Sequence, residues 1–326
     1  MNRRHTLLAA VAAACFGPLV ARAQPAALPK GPVHIVVGFP PGGGTDVLAR
    51  IIGQQLALLW NVPVLVENKA GAAGTIAADY VSKQPGDGSV LLMAHISSNG
   101  IAPGLFPKLG YSADKDFAPI TMVGMTPMVL LCDRSQTVRT LPALVALCKR
   151  EPGRVSFGSA GTGSAQHLAL EEFKRRAGID VLHVPYKGSA PLMNDLMGGQ
   201  VQYCFEGMTT SVPHIRSGRL FGIAQTRLKR SPTLPEVPTI AEQGYAGFDA
   251  AIWFALAGPA SMSADMVQQM NTDINKVLVM PEVAAKLALY GAEDGGGTPQ
   301  QLGKFMHAEQ LRWAKLIQEA HISMNA

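Results

Sequence analysis

Two glycine-rich turns constrain this chain more than any other feature, because each closes a β-branched run and opens an amphipathic helical pattern. The first is VHIVVGFPPGGGTDVLAR, from Val33 to Arg50, and the second is VSFGSAGTGSAQHLAL, from Val155 to Leu170. Strand, glycine turn and helix in that order make half of a parallel α/β unit. A helix start leaves backbone N–H groups unpaired and carries a partial positive charge, so it favours an anion without Lys or Arg. Two such starts facing each other across a cleft would hold a small acid from both sides. Neither is a nucleotide loop: Val47 stands where a dinucleotide fingerprint needs its third glycine, and no Gly-Lys-Ser/Thr follows.

Strand-like and helix-like runs alternate along most of the chain. Val33–Gly38, Val62–Glu67 and Val90–His95 read as strands, with a helix carrying Leu48, Ile51, Ile52, Leu56 and Leu59 and a shorter one over Gly74–Lys83. A long extended run, Phe117–Cys132, crosses toward a second set. There Val155–Ser159, Val181–Tyr186, Val201–Phe205 and Leu220–Gln225 read as strands, and Ser164–Arg176, Ala190–Met197 and Thr209–Arg216 as helices. After the Pro-rich Ser231–Thr239, the extended run Phe248–Leu256 returns the chain, and two C-terminal helices follow, around Val267–Leu278 and Leu302–Ile317. The expected fold is α/β, two lobes joined by two crossing strands with a ligand cleft between: 30–127 with 247–326 as lobe 1, and 128–246 as lobe 2. In such sheets ligands bind beyond the strand C-termini, where both glycine turns fall.

The first 23 residues read as an export signal: Arg3 and Arg4, an apolar stretch Leu7–Val20, and Ala21-Arg22-Ala23 as a cleavage site. The arginine pair fits a secretory or a twin-arginine signal. A lipoprotein site at Cys15 is disfavoured, since Ala12 replaces the bulkier aliphatic residue. Cleavage removes three arginines, taking the formal net charge from +5 to +2. A charge that small, with TRLKR (Thr226–Arg230) as its sole basic cluster, argues against a nucleic-acid partner. Cys132, Cys148 and Cys204 remain, an odd number without Cys-x-x-Cys spacing, so buried free thiols are expected over a disulfide framework or zinc site. No metal or cofactor is expected.

Catalytic signatures are weak. No Gly-x-Ser-x-Gly elbow is present, and the histidines show no paired ligand spacing. Ser164 reads as a helix N-cap and His167 lies one turn inside; as a rival reading, these two would serve an exported hydrolase. In the first turn, Thr45 or Asp46 is expected to cap the helix. Asp46 and Glu206 would repel a carboxylate, so they are expected to face a hydroxyl, an amine or a bridging water.

At these residues the chain resembles the Bug family, the periplasmic solute-binding receptors of tripartite tricarboxylate transporters. The resemblance spans nearly the whole mature chain: GFPPGGGTDVLAR, ENKAGAAGTIAADYV, QPGDGSVLLM, GSAGTGSAQHLA, VPYKGSAPLMNDLMGGQV, RSPTLPEVPTIAEQGY and WFALAGPA. It implies a type II periplasmic-binding-protein fold closing on a small carboxylated metabolite, with no enzymatic activity and no catalytic residue. It implies a periplasmic, monomeric receptor partnered by membrane transporter subunits or, alternatively, a sensor kinase. Carried over by motif, the first-lobe ligand contacts are Phe39, Gly43, Gly44, Asp46, Ser97 and Ser98. Those of the second lobe are Thr162, Gly163, Ser164 and His167, with Glu206 where many relatives have Asp. Gly207, Ser189 and Ala73 also depart from the common pattern, which bears on ligand identity and leaves the fold expectation intact.

Overall fold

The computed structural model describes residues 28–320 and 322–323. The export signal, with Arg3, Arg4, the Leu7–Val20 stretch, Cys15 and the Ala21–Ala23 cleavage site, lies outside the described residues, as does His321.

The first lobe begins with β1 (Val33–Val37), α1 (Gly44–Trp60), β2 (Val64–Asn68), α2 (Thr75–Ser82) and β3 (Val90–His95). β1 runs parallel between β2 and β3, with Val33 opposite Val64 and His34 opposite Val90. Val33, Ile35, Val36 and Val37 are fully buried, as a strand covered on both faces requires, while α1 lays Leu48, Ile52 and Leu56 into the core. The loop after β1 packs on a short 3₁₀ turn, Ala72–Gly74. A Cβ on Gly38 would sit 2.6 Å from Gly74 Cα, so this approach needs glycine. β3 passes into a fully buried π-helical turn, Ile96–Ile101, and then α3 (Ala102–Leu105).

β4 (Phe117–Asp133) joins the lobes. Its first part, Phe117–Pro127, pairs antiparallel with β9 (Ala251–Pro259); its second, from Met128, pairs with β7 (Tyr203–Gly207) and β8 (Leu220–Gln225). The strand order is therefore β2-β1-β3-β9-β4-β7-β5-β6 with β8 on β4. The second lobe contains α4 (Leu141–Arg150), β5 (Ser156–Ser159), α5 (Ala165–Ala177), β6 (Leu182–Pro185), α6 (Ser189–Met197) and α7 (Met208–Arg216), with β5 parallel to β6 and β7. The chain returns beside its outgoing crossing. Buried Thr226 donates its N–H to Met128 O, accepts from Met128 N at Oγ1, and donates that hydroxyl to Ala250 O.

Three helices close the first lobe: α8 (Ala264–Leu278), α9 (Pro281–Leu289) and α10 (Pro299–Glu319). Two were expected there. Pro281 reads as a breaker, yet it occupies the first turn of α9, where its missing N–H is harmless. α4 was likewise not expected, and it also begins with a proline, Pro142, after Thr140 as N-cap. α10 fastens the lobe from within. Glu309, beside Arg312, accepts the indole N–H groups of Trp253 and Trp313 at 3.2 and 3.0 Å. Cys132, Cys148 and Cys204 are buried and free, and burial raises the thiols of Cys132 and Cys148 to about 11, which keeps them unreactive. No helix among the described residues is long and apolar enough to cross a membrane.

Candidate functional site

The first glycine turn delivers an open helix start. Gly42 takes φ +82°, Gly43 is the N-cap of α1, and no side chain caps the helix, so the expectation of Thr45 or Asp46 as cap is corrected. Asp46 instead folds back beneath the turn. Its carboxylate accepts from Gly42 N at 3.0 Å, Arg50 Nε at 3.0 Å and Asn68 Nδ2 at 3.0 Å, while Asn68 also donates to Phe39 O. Burial acts to raise the Asp46 pKa, but Arg50, Gly42 N–H and Asn68 together hold it below the usual carboxylate range. The brace fixes the loop and leaves the N–H groups of Gly44, Thr45 and Asp46 without an acceptor among the described residues.

The second glycine turn is largely capped by the protein, with Gln166 N–H left without an acceptor among the described residues. Ser164 Oγ accepts from His167 N at 3.3 Å, His167 Nδ1 accepts from Gly163 N at 3.2 Å, and Ser97 Oγ, reaching across from the first lobe, accepts from Ala165 N at 3.1 Å. His167 stacks on His183 with ring centroids 4.3 Å apart, and burial pushes both pKa values down to about 4. A Cβ on Gly163 would lie 2.8 Å from Leu105 Cδ2, so this glycine serves the contact between lobes. Ser98 donates its hydroxyl to Asn99 Oδ1 and accepts Tyr111 OH at its carbonyl.

The residues expected to touch ligand therefore divide. Phe39, Gly43, Gly44 and Glu206 line one small cavity of about 20 Å³, and Thr162 lines an adjoining cleft of about 570 Å³. Asp46, Ser97, Ser98, Gly163, Ser164 and His167 are turned to protein partners, because their polar groups complete loops and helix ends that the fold buries. The rival hydrolase reading rests on Ser164 and His167, and both side chains are engaged with backbone N–H groups. The Ser164 hydroxyl meets a backbone N–H, and the imidazole Nδ1 meets Gly163 N–H. The serine that does meet an imidazole is Ser159, at 2.7 Å from His183 Nε2, but it is fully buried and bonded to Gly161. No group of three His, Cys, Asp or Glu placed to hold a metal is found among the described residues.

The small cavity also holds Ser189, which departs from the family pattern, and residues that motif reading passed over: His95, Gln166, Thr209 and Thr210. His95 ends β3, and its position beyond a parallel strand's C-terminus was the available signal. Its ring lies between Phe39 and Phe254, at 4.6 and 5.3 Å, and burial pushes its pKa down to about 3. The neutral ring accepts Ser97 N–H at Nδ1, which assigns its proton to Nε2. Glu206, at the end of β7, accepts from Gln166 Nε2 at 3.2 Å, Ser189 Oγ at 3.1 Å and Gly207 N at 2.8 Å, so it meets hydroxyl, amide and backbone donors of the protein. Burial raises its pKa, and these donors only partly offset that. The cavity and the larger cleft share Phe39, Pro40 and Ala160 as walls, so they lie side by side between the lobes.

Known proteins share this fold. Residues 48–322 match the family described as the tripartite tricarboxylate transporter family receptor. The chain belongs to this family. Among solved structures, Rpa4515 of R. palustris with adipate is 34% identical, with TM-score 0.88, covering 90% of this chain and 99% of that one. The periplasmic binding protein BugD is 32% identical with TM-score 0.86 (90% and 99% covered), and MatC of Rhodopseudomonas palustris with bound malate is 30% identical with TM-score 0.84 (89% and 100%). This tricarboxylate-transporter receptor thus has the two-lobed α/β fold of the periplasmic binding proteins, as its motifs implied. The family role is to bind a solute and deliver it to a transporter; it is not an enzyme family.

Proposed function

We propose that this protein is an exported periplasmic receptor that acts as a monomer. It closes two lobes, 30–127 with 247–326 and 128–246, over a small carboxylated metabolite and presents it, unaltered, to transporter subunits. The observation that carries this reading is the start of α1: Gly43, Gly44 and Thr45 border a cavity, and the N–H groups of Gly44 and Thr45 have no acceptor among the described residues. Hydrogen bonds to a charged group stabilise by about 1.5–3 kcal/mol each, and a helix terminus adds about 0.3–1 kcal/mol. With the His95 Nε2–H as a third donor, the sum approaches the roughly −8 kcal/mol of a micromolar complex before ordering costs. The adjoining cleft of about 570 Å³ is of ordinary ligand-site size, and Lys187 on its wall suits a second carboxylate.

Adipate and malate, the acids in Rpa4515 and MatC, are the first ligands to try. Isothermal titration calorimetry of the mature chain, with the recovered ligand analysed by mass spectrometry, tests the proposal. One acid bound per chain and returned intact supports it; turnover, or no binding across a panel of carboxylates, contradicts it.

A further inference from the structure

Glu206 differs from the other buried acids. Asp46, Asp133, Glu206, Asp273 and Glu309 are the carboxylates at least nine-tenths buried among the described residues. Three have a cation: Arg50 at 2.9 Å from Asp46, Lys276 at 3.5 Å from Asp273, and Arg312 at 3.2 Å from Glu309. Asp133 lies at the far end of β4 and accepts from Ser135 N. Glu206 alone borders the interlobe cavity, and no Lys, Arg or His lies within ion-pair distance of it among the described residues. A buried acid without a cation is costly, so its retention at a binding site points to something the ligand brings.

The same cavity offers donors. His95 Nε2 has no acceptor among the described residues, and the ring is held by its bond from Ser97 N–H and by the flanking rings of Phe39 and Phe254. With the α1 N–H groups, this makes one region that wants an acceptor, while Glu206, whose Oε1 already meets Gln166, Ser189 and Gly207 N, keeps room for a donor at Oε2, which has only the 3.4 Å bond from Gln166 Nε2.

Resting on the receptor reading above, the geometry points to a ligand that carries a hydrogen-bond donor, a hydroxyl or ammonium, beside its carboxylate. The carboxylate accepts from the α1 N–H groups and His95 Nε2–H, and the neighbouring donor enters Glu206. Glu206 thereby selects substituted acids over plain alkanedioates of the same length, while His95 holds the carboxylate that both kinds share.

Calorimetry with matched acids tests this: succinate, malate and aspartate, then glutarate, 2-hydroxyglutarate and glutamate, which differ within each set only at one carbon. A substituted acid is expected to bind at least about tenfold more tightly than its plain counterpart, a difference of about 1.4 kcal/mol. Whether malate or aspartate leads identifies the donor as hydroxyl or ammonium. In Glu206→Gln the preference shrinks below about threefold while the plain acid is retained; in His95→Phe every acid weakens and the preference stays. Plain acids binding as tightly as substituted ones in the wild type overturns the inference without touching the receptor reading, as does a preference that survives in a folded Glu206→Gln. That wild-type comparison stands even if a variant fails to fold. No binding by any acid fails the receptor reading itself, and this inference with it.

Discussion

The two glycine-rich helix starts look alike in sequence and differ in what the fold does with them. At α1 the polar side chain nearest the turn, Asp46, points backward to Arg50, Asn68 and Gly42 N, so the helix N–H groups stay available. At α5, Ser164 and Ser97 fill the corresponding positions with their own hydroxyls, and His167 holds Gly163 N–H. One start leaves its N–H groups open, and the other locks a loop and holds the lobes together. Glycine in both places allows close approach, of Thr209 to Gly44 in the first and of Leu105 to Gly163 in the second. A helix N-terminus is therefore an anion site only where capping has been withheld.

The sharpest way to break this comparison is Gly44→Val. A Cβ there would lie 3.0 Å from Thr209 Cβ, so a branched side chain wedges the lobes apart and covers the α1 start. Acid affinity measured by calorimetry should fall at least about 100-fold, the loss of two charge-assisted hydrogen bonds. Next comes Asp46→Asn, which removes the negative charge facing Arg50. Because Arg50 is half exposed, the loss of stability is about 2 kcal/mol, read by urea unfolding, with weaker acid binding as the turn loosens. The equivalent change at the capped start, Ser164→Ala, should cost about 1 kcal/mol of stability and leave acid affinity within about threefold.

Acid pH sharpens the contrast. The folded protein keeps His95, His167 and His183 neutral, with values lowered to about 3, about 4 and about 4, against an ordinary 6.5. The unfolded chain therefore binds more protons below pH 6.5, and stability is full above that value and is lost as pH falls toward 4. For His95 the loss at pH 5 is about 2 kcal/mol. As protonation takes His167 before His95, hydrogen exchange at Gly163 should rise near pH 4, where Nδ1 can no longer accept, while the Asp46 brace still protects Gly42. Equal rates of opening in the two turns would remove this distinction.

Much of the fold was legible because its strands are continuous apolar runs and its turns carry glycine. β3 and β8 fall at the positions their sequences suggest, and most other elements differ by one to three residues at their ends. α4 and α9 were not expected, and each carries a proline, Pro142 or Pro281, in its first turn, where a proline is compatible with a helix. The site was half legible. Phe39, Gly43, Gly44 and Glu206, which the family resemblance named, border the small cavity, but the partners of Asp46 and Ala165 could not be read from the sequence. Asn68 is 22 residues from Asp46, and Ser97 is 68 residues from Ala165. Only the folded sheet brings these pairs together, and local pattern carries no trace of them. His95 escaped notice for a similar reason, since its aromatic neighbours come from β9 and the first glycine loop.

The most direct test of the account is a ¹H–¹⁵N nuclear magnetic resonance titration of the mature protein with malate or adipate, following the backbone amides of the two helix starts. Downfield shifts at Gly44 and Thr45, as their N–H groups bond to a carboxylate, with Ala165 and His167 little changed, are predicted. Shifts concentrated at Ala165 and His167, with Gly44 and Thr45 unmoved, would contradict it.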